Sequence, residues 1–209
     1  MIYLSDNDIV EKLAILDLLD DALTAFDVPR SAVFVIPTLK LRIGGKKRAK
    51  AERRLGVEVV ARILEFLGGV QEIRDDSPED QQRLDDLVGI DAGEAILLSA
   101  TAAIPEFRLL TGDKRCLRAV ATDPECAIIA HRIRGRVVCF EQILRCLIVR
   151  FGFGHVLDKV VPVLPSCDTA VRTAFGSGAR ATEPNVLACL ESYIGELRGL
   201  PIDLLDVDL

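Results

Sequence analysis

The chain has 209 residues, half of them hydrophobic and a little over a quarter charged, which excludes global disorder and is long enough to bury a core without covalent staples. Trp is absent and aromatics make up 5%, so that core must be aliphatic. The net charge of −6 argues against an unselective polyanion binder, and no apolar run approaches the ~20 residues that span a bilayer.

Residues 1–5 are an apolar run that ends in Asp6-Asn7-Asp8, predicting a strand that feeds a helix cap. The opening MIYLSDND has neither a basic region nor a long apolar stretch, so no signal peptide is read and a cytoplasmic location is expected. Ile9, Leu13, Leu16, Leu19 and Leu23 recur at helical spacing, predicting one or two helices over 9–26. Residues 31–36, SAVFVI, lie between prolines and read as a second strand. A helix over 38–43 should stop at Gly44-Gly45, and another over 46–67 at Gly68-Gly69. A short strand is expected at 70–73. Ser77-Pro78 then gives a helix start, cap followed by Pro, for a helix to about 87.

A helix over 91–102, a strand over Phe107–Leu110 and helices over 114–120 and 125–132 follow. The last strand is expected at 137–140 and its helix at 141–149. Strands that alternate with helices imply an α/β fold of three layers, α/β/α, around a mostly parallel sheet. Past residue 154 the texture becomes helical, over 166–175 and 182–197, with an apolar, proline-flanked stretch at 160–164. The expected organisation is therefore an α/β domain over 1–154 and a helical C-terminal extension over 155–209. Val160, Val161, Val163, Leu187, Leu190, Ile194 and Leu197 should pack that extension on the domain or form a homodimer contact.

Six cysteines, none in C-x-x-C spacing, and two isolated histidines offer no zinc or disulfide pattern. Charge is segregated. Lys40, Arg42, Lys46, Lys47, Arg48, Lys50, Arg53 and Arg54 face the single acid Glu52 between residues 40 and 54, whereas 72–94 is acidic. Such a run is either a solvated helix face or a grip for a nucleic-acid backbone.

Asp6, Glu94 and Asp113 stand where strands meet helices. Each suits a helix cap, and Asp91-x-x-Glu94 has capping-box spacing. In an open parallel sheet, however, the carboxyl ends of strands share one rim where ligands bind. Carboxylates gathered there repel one another unless they are protonated or hold a hard cation.

The strings YLSDNDIV, DAGEAILLSATA and LLTGDKRCLRAV, in that order, resemble the PIN-domain family of metal-dependent ribonucleases over roughly residues 1–150. The resemblance implies a PIN-like fold and Mg²⁺ or Mn²⁺ held by Asp6, Glu94 and Asp113, with Asp91, Asp8 and Thr111 as auxiliaries. It also implies hydrolysis of RNA to 5′-phosphate and 3′-hydroxyl ends, by in-line attack of water on phosphorus. Lys114, Arg115 and Arg118 beside Asp113, with Lys40, Arg42, Lys46, Lys47 and Arg48, are the expected RNA contacts. Family analogy adds a toxin role in a toxin–antitoxin pair, with an antitoxin-like protein partner. The sequence departs from the family after the second strand. VFVIPTLKLRIGG carries Lys40 and Arg42 where many members have an acid, and Arg115 and Cys116 follow Asp113. The alternative is a non-catalytic PIN-like module that binds RNA or a protein. A third reading, an unrelated doubly wound protein with a phosphate ligand, lacks a glycine-rich fingerprint, because Gly44-Gly45-Lys46-Lys47 has the wrong spacing.

Overall fold

The computed structural model describes residues 1–74, 77–85 and 87–209. Asp75, Asp76 and Asp86, which belong to the acidic stretch and to the helix expected to reach about residue 87, lie outside the described residues. The chain opens with β1 (Ile2–Ser5), α1 (Asn7–Ile15) and α2 (Leu19–Ala25), and reaches β2 (Val33–Val35) through a 3₁₀ turn. Next come α3 (Thr38–Ile43), α4 (Arg48–Leu55), α5 (Val57–Leu67) and β3 (Gln71–Glu72). Helices α6 (Pro78–Asp85) and α7 (Ala92–Ala100) precede β4 (Phe107–Leu110), and α8 (Lys114–Thr122) and α9 (Ala127–Ile133) precede β5 (Val137–Val138). Then follow α10 (Phe140–Phe151), α11 (Phe153–Val160), α12 (Thr169–Ala174) and α13 (Glu183–Arg198). No described helix is long and apolar enough to cross a membrane.

Three of the boundaries have local reasons, the first within expectation and the other two not. The 9–26 stretch is two helices because Asp17 takes a left-handed conformation, φ 55°, which Asp tolerates better than most residues. Residues 46–67 are two helices because the chain turns at Gly56, φ 94°, a value that glycine adopts without a Cβ clash. The last strand ends at Val138 because Cys139 already caps α10, its backbone N–H donating to Gln142 Oε1 at 3.1 Å.

The five strands form one parallel sheet in the order β3-β2-β1-β4-β5. Side chains alternate between two buried layers as the period of two requires. Tyr3, Val33, Val35, Leu110 and Val138 join one hydrophobic cluster, while Leu4, Phe107, Leu109 and Val137 join the other. The result is a three-layer α/β/α structure.

Residues 155–209 belong to these same layers. Val156, Val160, Val171, Val186 and Leu190 sit in the first cluster, and Ile194, Leu197, Leu204 and Leu205 in the second. Helix α13 therefore crosses from one side of the sheet to the other. Beyond it, the backbone of residues 204–206 pairs with Val137, whose N–H donates to Leu204 O at 3.0 Å. That contact covers the β5 edge, which would otherwise present unpaired backbone groups.

Candidate metal centre

The strand order reverses between β1 and β4: the chain leaves β1 for β2 on one side, and β4 lies on the other. At such a point the connections diverge and a crevice opens beyond the carboxyl ends of the strands. A cleft of about 960 Å³ occupies this place, and Asp6, Asp8, Glu11, Asp91, Glu94 and Asp113 line it, together with Arg42, Lys114 and Arg115. All three acids expected at the rim thus face one cleft.

Asp6 follows β1 directly, its backbone N–H donating to Leu110 O at 2.9 Å. Its carboxylate caps α1, accepting from Asp8 N at 3.4 Å. Burial first, and the neighbouring charge of Asp8 second, push its carboxyl up to about 6. Glu94 lies in the first turn of α7. Asp91 Oδ1 accepts from the backbone of Gly93 and Glu94 at 2.8 and 2.9 Å, and Glu94 Oε2 accepts from Asp91 N at 2.7 Å, closing the expected capping box. Glu94 is buried, which raises its carboxyl well above the usual range, and the charges of Asp113 and Asp91 push the same way.

Asp113 caps α8, accepting from Arg115 N at 2.7 Å and Cys116 N at 3.2 Å. Burial pushes its carboxyl up, but the Arg115 guanidinium at 2.9 Å and the two backbone donors outweigh it, so the group is held below the ordinary value. The charge of Asp113 acts on Glu94 across the cleft, and the two groups shift in opposite directions. Thr111 is buried, and its Oγ1 accepts from Asp113 N at 3.2 Å, so it shapes the turn that carries Asp113.

Among the described residues no three His, Cys, Asp or Glu side chains are gathered as a ready cation cage. The acids stand instead as capped or paired groups around one space. The donor set nevertheless fits a hard divalent ion, because every candidate ligand is an oxygen. Asn7 adds a further oxygen: it is buried beside Asp6, lines the cleft, and its Oδ1 has no hydrogen-bond partner among the described residues, while Nδ2 donates to Thr38 Oγ1 at 3.0 Å. A buried, unpaired carbonyl oxygen is costly, and a cation or a donor on a ligand would satisfy it.

The expected RNA contacts fall into two groups. Arg42 faces the cleft, whereas Lys40 is exposed and pairs with Glu72 at 3.2 Å, and Arg48 pairs with Glu52 at 2.8 Å. Lys46 and Lys47 are exposed on the turn before α4. Arg115 is exposed apart from its pair with Asp113, and Arg118 reaches Glu196 at 3.5 Å. Lys114 points to the C-terminal helix: its ammonium donates to Tyr193 O at 2.8 Å, lies 3.4 Å from both Glu141 and Glu196, and sits over the Tyr193 ring.

Sequence reading missed Glu11 and placed Arg54 only in the basic run, not as its partner. Glu11 lines the cleft from α1, almost fully buried, and takes a two-pronged contact from Arg54 at 2.7 and 2.9 Å and a third from Arg42 at 3.4 Å. It also missed Lys12, whose ammonium bridges Asp8 and Asp168 at 2.7 Å each and ties the start of α12 to α1. An acid one turn after Asp8 was the available signal, but its arginine partners lie far along the chain. Compared with protein-family profiles, curated proteins and solved structures, the chain matches none.

Proposed function

We propose that the chain is a cytoplasmic, PIN-like, divalent-metal-dependent endoribonuclease, its Mg²⁺ or Mn²⁺ held by Asp6, Glu94 and Asp113 with Asp8 and Asp91 alongside. The observation that carries this reading is the cleft itself. Acids from the ends of β1 and β4 and from the first turn of α7 line one space at the point where the strand order reverses, and burial penalises their charge. A bound ion would supply Lewis acidity toward a phosphodiester and lower the pKa of its own water. The chain's residues do the remaining work. Asp91 fixes Glu94 through the capping box, Thr111 fixes the turn of Asp113, and Arg115 is poised to release Asp113 and reach a phosphate oxygen. RNA is the proposed substrate. A toxin role, with an antitoxin-like partner or a second copy, follows from family analogy alone.

One observation favours a second reading, the non-catalytic module: Arg42 faces the cleft where the family resemblance places an acid. A single substitution separates the two. Asn caps a helix about as well as Asp, so Asp113→Asn should leave the melting temperature nearly unchanged while it removes a full negative charge from the groups that would hold the ion. Even outer-shell partners of metal sites are worth about 10- to 100-fold, so metal-dependent cleavage should fall at least that far and Mn²⁺ affinity with it. Wild-type protein that neither binds Mn²⁺ in calorimetry nor cleaves RNA would overturn the enzyme reading in favour of the module.

A further inference from the structure

Around Glu11, where α1 meets α3 on the cleft, two guanidinium groups face one carboxylate. Glu11 is buried and already fully engaged by Arg54, whose two terminal nitrogens grip both carboxylate oxygens at 2.7 and 2.9 Å. Such a two-pronged pair satisfies a carboxylate in charge and in geometry. Arg42 is therefore surplus to neutralisation. It touches Glu11 at a single, longer contact of 3.4 Å, and its side chain is 48% exposed on the cleft. A guanidinium has five N–H donors in a rigid fork, so among the described residues most of those on Arg42 remain free for another acceptor. The positive surface then continues outward through the exposed Lys46, Lys47 and Lys50. The same cleft also holds Asp6, Glu94 and Asp113, which repel any anion until a cation covers them.

We infer that Arg42, held in place by the Glu11–Arg54 pair, is a phosphate-binding residue that seats a phosphodiester of the RNA strand next to the one that lies on the acids. The assignment rests on the nuclease reading for the identity of the strand, but not for the contact itself. A fixed guanidinium at this place performs the charge balancing that a further acid plus a second cation would perform, and it requires no metal. The site would accordingly take one ion per chain, and an RNA end lacking the neighbouring phosphate would bind less well.

The test is the affinity and salt dependence of binding to fluorescein-labelled oligouridylate, read by fluorescence anisotropy. It is run once in EDTA, where no hydrolysis occurs, and once with Mn²⁺ on an Asp113→Asn background. Arg42→Gln should weaken binding about 10-fold, the worth of one charge-assisted contact, and should lower the slope of log affinity against log salt by about one. Arg42→Lys should restore the slope but only part of the affinity, since an ammonium keeps the charge and loses the fork. Arg42 is half-exposed and Glu11 keeps Arg54, so the variant is expected to fold, and a melting curve checks this. An unchanged affinity and slope in Arg42→Gln, or no RNA binding by the chain in either condition, would overturn the inference. Failure of the nuclease reading shows differently, as an absence of Mn²⁺ binding by the wild-type chain while the Arg42 dependence in EDTA persists.

Discussion

Asp6 and Glu94 both titrate above the ordinary carboxylate range because they are buried among other acids. A carboxyl whose folded-state pKa exceeds its unfolded value holds its proton more tightly when folded. The stability it contributes is full below the unfolded pKa and is lost as pH rises through the folded value. For Asp6 that window runs from about 4 to about 6, and Glu94 extends it upward. Asp113, shifted down, works in the opposite sense and only at acid pH. Metal-free protein should therefore melt at progressively lower temperature from pH 5 to pH 8, and Mn²⁺ should restore the loss at pH 8 far more than at pH 5. Differential scanning fluorimetry with and without EDTA reads both, and equal metal effects at the two pH values would count against a cation at these acids. The three acids were legible in the sequence because each follows a strand end or opens a helix, positions that topology brings to one rim. Glu11, its pairing with Arg54 and the true surroundings of Lys114 were not. A lone Glu on an amphipathic helix looks like a solvated residue, and Tyr193 and Glu196 carry no local sign that they would claim a lysine next to Asp113.

Among the elements, the pair α4 and α5 shows how one residue redirects a helix. Gly56 sits at φ 94° between them, with nothing within 4 Å of the space a Cβ would enter. The obstacle to substitution is thus the backbone conformation itself. Gly56→Ala should cost roughly 1–3 kcal/mol, lowering the denaturation midpoint without changing the slope of the urea curve. A neutral or stabilising result would mean that α4 and α5 can merge into the single helix the hydrophobic period suggests. Periodicity alone read most elements correctly here: the strand at Phe107–Leu110 and the helix at Thr38–Ile43 match residue for residue. It failed where a single backbone angle or cap decides the boundary, as at Gly56 and Cys139, because those are local geometric choices that leave the apolar pattern intact.

On the scale of the molecule, α13 is a structural bridge rather than an appendage. Val186 and Leu190 complete one hydrophobic layer, Ile194 and Leu197 the other, and all four are essentially buried. Leu190→Ala should cost about 2–5 kcal/mol, the range for a buried leucine emptied into a cavity. The loss should lower a single melting transition rather than release a separate C-terminal unit. Limited proteolysis that removed residues 155–209 and left a folded, equally stable remainder would contradict this. The position of β1 has a consequence in time. It comes first in the chain, yet it occupies the centre of the sheet, between β2 and β4. A ribosome that has made only the first half of the domain has exported Asp6 but not yet the strand that will bring Asp113 beside it. The nascent chain must wait for that distant segment, because closing such a long loop is slow and nothing nearby can substitute. Any chemistry that needs both acids is therefore silent throughout early synthesis and begins only when the sheet closes, so the order of the strands itself sets when the protein can act.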